Sequence, residues 1–234
     1  MKTLVLLRHG ASLWDEENRL SGWTDVPLSE RGRREAVLAG RLLRDAGPEF
    51  RVAFTSVLSR AIETAAIVLR EMGLSWIPLL KDWRLNARHE GVLQGMNRAQ
   101  AAEFFGAEQL QRWQRSYDES PPPLPPGDAR RCDADPRYVA LEPWQLPATE
   151  SFADVSARLR RCWEEAMAPV LRHRGLLLVV AHDSCLRALL ALVRHRRPTA
   201  MVPELPPGQP MVLEFDDELH LRRCTKLANE VLRA

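Results

Sequence analysis

Leu176-Leu177-Leu178-Val179-Val180-Ala181 is the most hydrophobic run in the chain. Unbroken apolar residues over this length suit a strand buried on both faces, and such strands belong to parallel sheets covered by helices. The run is far short of the roughly 18 apolar residues of a membrane span. Gly175 leads into it, and His182 and Asp183 stand at its carboxyl end. In open α/β sheets, ligands bind just outside the carboxyl ends of the strands. The alternative for this pair is a helix-capping Asp beside a packed His.

A second apolar run, residues 3–7, ends in Arg8-His9-Gly10. Gly10 permits the sharp turn that a strand needs there. A neutral imidazole nitrogen is a good nucleophile toward phosphorus, and a guanidinium holds phosphate oxygens in a fixed fork. A polar loop with two Trp follows. Ser29 then caps a helix with the stripe Ala36, Ala39, Leu42, Leu43 and Ala46, stopped by Gly47. Residues 51–56 read as a strand. A helix from about 57 to Met72 carries Arg60 in its first turns, where free amides and the helix dipole favour an anion. A third strand is predicted over 76–80. Strand–helix alternation predicts an α/β three-layer sandwich, with a mostly parallel central sheet and helices on both faces.

Residues 83–91 have no period and carry many functional side chains, as a binding loop would. One helix is expected over 98–117, packed through Phe104, Leu110 and Trp113. The run Pro121-Pro122-Pro123-Leu124-Pro125-Pro126 reads as polyproline-like. The whole chain, 1–234, is expected to be one domain, with about 83–149 an irregular insertion covering the site. Ser151 and Asp154 form a capping box opening a long helix through Met167. A helix from 183 to 195 and a last strand over 211–215 follow, and the tail from Asp216 is charged without a readable pattern.

Basic and acidic residues nearly cancel, 33 against 31, so no global pull toward nucleic acid or a membrane surface follows. Cys132, Cys162, Cys185 and Cys224 have neither redox-motif nor metal-ligand spacing. With no signal peptide and no span, the expected location is the cytoplasm. No acidic cluster calls for a metal, and no glycine-rich loop with Lys-Ser/Thr suggests nucleotide hydrolysis. If Arg8, His9, Arg60 and His182 converge, they form a cationic cage for a phosphoryl group with an imidazole poised for in-line attack. The leaving alkoxide needs an acid, for which Asp183, Glu90 and Glu17 are candidates.

Longer motifs then resemble the cofactor-dependent phosphoglycerate mutases of the histidine phosphatase superfamily. They are Leu-Arg-His-Gly-x-Ser-x-Trp-x-x-Glu-Asn-Arg at 7–19, Gly22-Trp23-x-Asp25, Thr55-Ser56-x-Leu58-x-Arg60-Ala61, Trp83-Arg84-Leu85-Asn86, Gln94-Gly95-x-Asn97, Arg115-Ser116-Tyr117-Asp118, Glu150-Ser151 and Ala181-His182. The resemblance runs from about residue 2 to 216. It implies that His9 accepts phosphate and that Arg8, Arg60 and His182 bind the phosphoryl group. It carries phosphate or substrate contacts to Asp15, Ser21, Gly22, Arg88, Arg98, Arg115 and Ser184, and it suggests a homodimer or tetramer.

Departures gather in the pocket. Ala87 stands where the family has its acid Glu, and Glu90 where it has a substrate-binding Tyr. Arg98 replaces Lys, Gln114-Arg115 an Arg pair, Asp15 an Asn, and His182-Asp183-Ser184-Cys185 a His-Gly-Asn-Ser run. Losing Arg and Tyr while gaining carboxylates disfavours polyanionic substrates. His182-Asp183 is similar to the His-Asp pair of the acid phosphatase branch, which suggests Asp183 as replacement acid and Glu90 as second candidate. The reading is a diverged phosphatase acting on a small phosphorylated metabolite through a phosphohistidine, with no obligatory cofactor. One rival is a phosphoglycerate mutase primed by 2,3-bisphosphoglycerate. The other is a non-catalytic relative that binds a phosphorylated ligand.

Overall fold

Strand β1 (Lys2–Arg8) alternates its side chains between two cores. Leu4 and Leu6 pack on one face, Val5 and Leu7 on the other. The computed structural model describes residues 1–195 and 205–227, so the last seven residues of the charged tail lie outside the described residues. Helices α2 (Glu30–Ala46) and α3 (Ser59–Glu71) cover the Val5 face. Helices α6 (Phe152–Cys162), α7 (Ala168–Arg174) and α8 (Asp183–Val193) cover the other. No helix among the described residues is long and apolar enough to cross a membrane.

The sheet has six strands, in the order β3-β2-β4-β1-β5-β6. Strand β4 (Leu176–Ala181) lies at its centre, paired in parallel with β1 on one side and β2 (Ala53–Thr55) on the other. Strand β3 (Leu79–Lys81) extends the parallel half. The expected three layers are therefore present. Register places Arg8 opposite Ala181 and Thr55 opposite Val180, so β1, β4 and β2 end side by side. His9, His182 and Ser56 each follow one of those ends.

Ser29 caps α2 and Gly47 ends it in the left-handed region, as read from sequence, and Ser151 and Asp154 form the capping box of α6. Three expectations are corrected. The helix over 98–117 is two helices, α4 (Arg98–Phe105) and α5 (Ala107–Arg115), broken at Gly106 with φ +86°. The break turns Phe105, not Phe104, toward Trp113, with ring centres 5.4 Å apart, and leaves Phe104 77% exposed. The long helix after Ser151 widens into a π segment, Trp163–Met167, before α7. Pro169 lies in the first turn of α7, and its missing N–H and its ring clash remove the regular bond back to Glu165. The charged tail holds a strand, β6 (Leu221–Lys226), antiparallel to β5 (Met211–Phe215), itself antiparallel to β1. Exposed charge is how an edge strand is kept from pairing further, so its sequence reads as tail. Within the polar loop after Gly10 lies one short helix, α1 (Leu13–Glu16), capped by Ser12.

Candidate active site

The turn after β1 is held hard against α2. A Cβ on Gly10 would strike the backbone of Gly32, so both positions need glycine for this approach. His9 N–H donates to Ala181 O at 3.0 Å, Gly10 N–H to Thr64 Oγ1 at 3.2 Å, and Ala11 N–H to Glu35 Oε2 at 2.8 Å. His9 is buried, and its Nδ1 lies 2.7 Å from Gly10 O. A carbonyl only accepts, so Nδ1 carries the proton and Nε2 keeps its lone pair. Burial, then the Arg60 and Arg8 guanidiniums, push the imidazole down to about 3. A histidine held neutral with Nε2 free is equipped as a nucleophile.

His182 sits beside it, ring centres 4.8 Å apart. Its Nε2 is 2.9 Å from Ser56 Oγ, which also accepts from Leu58 N–H; a hydroxyl that donates to Nε2 leaves the ring proton on Nδ1. His182 Nδ1 is left buried without a partner among the described residues, and so are Arg8 Nε and Arg60 Nε. Arg60 is fully buried in the first turn of α3, its two Nη atoms donating to Thr24 O and Gly22 O at 2.8 Å each. Gly22 holds φ +50°, and a Cβ there would meet the Gln94 side chain. Burial lowers the Arg60 guanidinium to about 10, so it remains a cation at neutral pH. Three buried side-chain nitrogens without partners, two of them guanidinium N–H donors, on three residues lining one cavity, call for an anion.

The cavity is about 170 Å³. Twelve of the fourteen residues singled out from sequence line it: Arg8, His9, Asp15, Ser21, Gly22, Arg60, Arg88, Glu90, Arg98, His182, Asp183 and Ser184; Glu17, the third candidate acid, does not and pairs with Arg19 instead. Arg115 does not line it either; it is exposed at the end of α5. Arg19, Leu20 and Ala87 complete the wall. Several side chains are already engaged. Arg88 donates to Trp113 O at 2.7 Å and grips both oxygens of Glu90 at 2.8 and 3.4 Å. Ser184 Oγ accepts from Arg88 N–H at 3.0 Å. Asp183 accepts from Leu205 N–H at 3.0 Å and from Arg187 at 3.4 Å. Sequence reasoning gave no role to Ser56, Arg187 or Leu205; only the i, i+4 spacing of Asp183 and Arg187 on a helix signalled a partnership.

A family model described as "Histidine phosphatase superfamily (branch 1)" matches residues 4–224. The chain belongs to this superfamily. A 2,3-bisphosphoglycerate-dependent phosphoglycerate mutase of Nitratidesulfovibrio vulgaris (strain DSM 19637 / Miyazaki F) is 50% identical over 220 residues, spanning 94% of this chain and 88% of that protein. Among solved structures, a mycobacterial glucosyl-3-phosphoglycerate phosphatase superposes with TM-score 0.70 at 25% identity, covering 96% of this chain and 97% of that one. Bacillus stearothermophilus YhfR gives 0.67 at 27% identity, covering 92% of each chain. The protein is thus an enzyme of the histidine phosphatase superfamily, whose members transfer phosphoryl groups through a phosphohistidine.

Burial also lowers His89 to about 4 and His182 well below its ordinary value. Folded-state values below the unfolded value of about 6.5 mean that only the unfolded chain takes up these protons as pH falls. Stability is therefore full above about pH 6.5 and declines between 6.5 and 4, each of the three histidines contributing up to about 1.4 kcal/mol per pH unit. Denaturant unfolding at pH 7.5 and 5 should show the decline; equal stabilities would refute it.

Proposed function

We propose that the protein is a phosphatase of small phosphomonoesters. His9 Nε2 attacks phosphorus as the ester P–O bond breaks, and Arg8, Arg60 and His182 Nδ1–H hold the phosphoryl oxygens. The leaving alkoxide takes a proton from Asp183. Water then attacks the phosphohistidine, returning a proton to Asp183, and phosphate leaves. Asp183 is favoured over Glu90 because Arg88 grips both Glu90 oxygens, at 2.8 and 3.4 Å, whereas Arg187 reaches a single oxygen of Asp183 at 3.4 Å and the other takes only the Leu205 N–H. Ser21, Gly22, Arg98, Ser184 and Arg88 shape the remaining wall in this reading, and Arg115 joins no contact in it. No metal is called for, because guanidinium groups supply the positive charge. A reducing cytoplasm suits the four free cysteines.

The observation that carries the phosphatase reading is the charge of the wall. Ala87 offers no acid, and Asp15, Glu90 and Asp183 place three carboxylates around a cavity of about 170 Å³. A site for a carboxylate and up to two phosphates should not be lined so. The mutase reading, primed by 2,3-bisphosphoglycerate, draws support from the identity to the Nitratidesulfovibrio protein. Purified protein is given 3-phosphoglycerate, with and without the bisphosphate, and a panel of other phosphomonoesters, while 2-phosphoglycerate and free phosphate are followed. Phosphate release without isomerisation, reduced about 10²- to 10⁴-fold by Asp183→Asn, is the expected result. Rapid isomerisation that needs the bisphosphate would overturn it.

A further inference from the structure

The sequence resemblance puts an asparagine where this chain has Asp15, and the structure shows what the change creates. Asp15 occupies the third position of α1, and Ser12 N–H and Oγ–H hold its Oδ2 at 2.7 and 2.5 Å. Asp15 lines the cavity, and its other oxygen, Oδ1, lies 3.9 Å from Arg8 Nη2. Burial raises the carboxyl, but nearby His9, the Ser12 hydrogen bonds and Arg8 outweigh it and keep Asp15 below the ordinary range. Before a phosphoryl group arrives, Asp15 is therefore an anion.

The three carboxylates of the wall are not equivalent. Glu90 is paired with Arg88, and Asp183 with Arg187 and the Leu205 amide. Neither Arg187 nor the Leu205 amide lines the cavity, and the Arg88 guanidinium is already engaged. Asp15 instead has as its nearest guanidinium Arg8, at 3.9 Å, a group that a phosphoryl group needs and whose Nε has no partner among the described residues. Once the phosphoryl group engages Arg8, Asp15 faces two new negative charges that share its nearest guanidinium. Groups of like charge sharing a site force one of them to hold a proton. The other charged or titratable groups around it are His9, Arg60, His182, Arg19 and Arg98 on the same wall. Burial holds both histidines neutral before the anion arrives, so they are the rival sites for the incoming proton.

We propose that Asp15 makes phosphoryl binding proton-linked: a dianionic group enters with one proton taken from solvent onto Oδ1, and that O–H donates to a phosphoryl oxygen. No covalent bond changes, and the proton returns to solvent when phosphate departs. Asp15 is then a binding residue that favours capture of phosphomonoesters at lower pH, where an asparagine amide would donate without regard to pH. The inference rests on the phosphoryl-site reading above.

Sulfate tests it, because it stays dianionic from pH 5.5 to 8. Its binding is measured by calorimetry in buffers of different ionisation enthalpy, for the wild type and for Asp15→Asn. The wild type should take up about one proton near pH 7 and lose affinity up to about tenfold per pH unit. The variant should take up far less and bind sulfate at least about tenfold more tightly at pH 8. Absence of proton uptake by the wild type overturns the inference, whatever becomes of the variant. Equal uptake by both proteins also overturns it and moves the proton to a histidine. Failure of both folded proteins to bind sulfate at any pH would instead bring down the phosphoryl-site reading, and this inference with it.

Discussion

The expected result of replacing His9 with alanine is a protein that folds, still binds phosphate and never becomes phosphorylated. Turnover should fall by about 10⁴-fold or more, as when the nucleophile of a covalent mechanism is deleted. The size follows from what remains. Arg8, Arg60 and His182 still hold a phosphoryl group, but no other uncharged, suitably placed base lines the cavity to accept it. His182 Nε2 is occupied by the Ser56 hydroxyl, so it is a poor substitute. The structural cost is modest. His9 contributes one side-chain hydrogen bond, to Gly10 O, of about 1 kcal/mol, and its imidazole loses stability to acid. The variant should therefore show a shallower decline in stability below pH 6.5 than the wild type. Rapid mixing with substrate and an alkaline quench, which preserves phosphohistidine, reads the intermediate directly. Wild-type labelling that survives in His9→Ala would place the nucleophile elsewhere.

Much of this site is legible because strand ends can be read locally. The two apolar runs ending in Arg8-His9 and in His182 pair in register, so a motif at each end becomes one site. Arg60 is legible as a helix-start cation. What stayed hidden is how side chains divide between ligand and protein. Arg88 and Ser184 read as substrate contacts, yet their hydrogen bonds join the 83–91 loop to α5 and α8. That division depends on which residues stand within about 3 Å across sequence separations of 25 and 96, and no local pattern encodes it. Arg115 illustrates the same limit: the break at Gly106 changes the direction of α5, and a helix continued through that point would have pointed its residues elsewhere. Strand β6 escaped for the opposite reason, since its edge position suppresses the apolar alternation that reveals a half-buried strand.

The loop around Ala87 allows the second large prediction. Its carbonyl accepts from Trp23 Nε1 at 2.7 Å and from Arg158 Nη2 at 2.8 Å. The preceding Asn86 is buried, its amide donating to Tyr138 and accepting from Val57 N–H. Arg158 itself is fixed by Glu150, which also accepts from His89 N–H. The backbone at 87 is thus clamped on both sides, and Ala87 lines the cavity. A carboxyl placed there would be an acid held by an existing frame, without the guanidinium partner that ties down Glu90. Ala87→Glu combined with Glu90→Tyr should raise interconversion of 3- and 2-phosphoglycerate about 10²- to 10⁴-fold, the range of general acid catalysis, and make it depend on 2,3-bisphosphoglycerate. Glu90→Tyr also frees Arg88 Nε and Nη2 for a substrate carboxylate, while Nη1 stays on Trp113 O, at some stability, because Arg88 is buried and loses its ion-pair partner. Assaying both products, with unfolding midpoints recorded beside them, separates lost folding from lost chemistry. A folded double variant with no isomerisation would mean that Asp15 and Asp183, not the missing acid, set this chain apart from a mutase. A gain confined to the bisphosphate-primed reaction would show that the scaffold still positions both phosphoglycerate isomers, and that the two loop residues decide where the phosphoryl group goes.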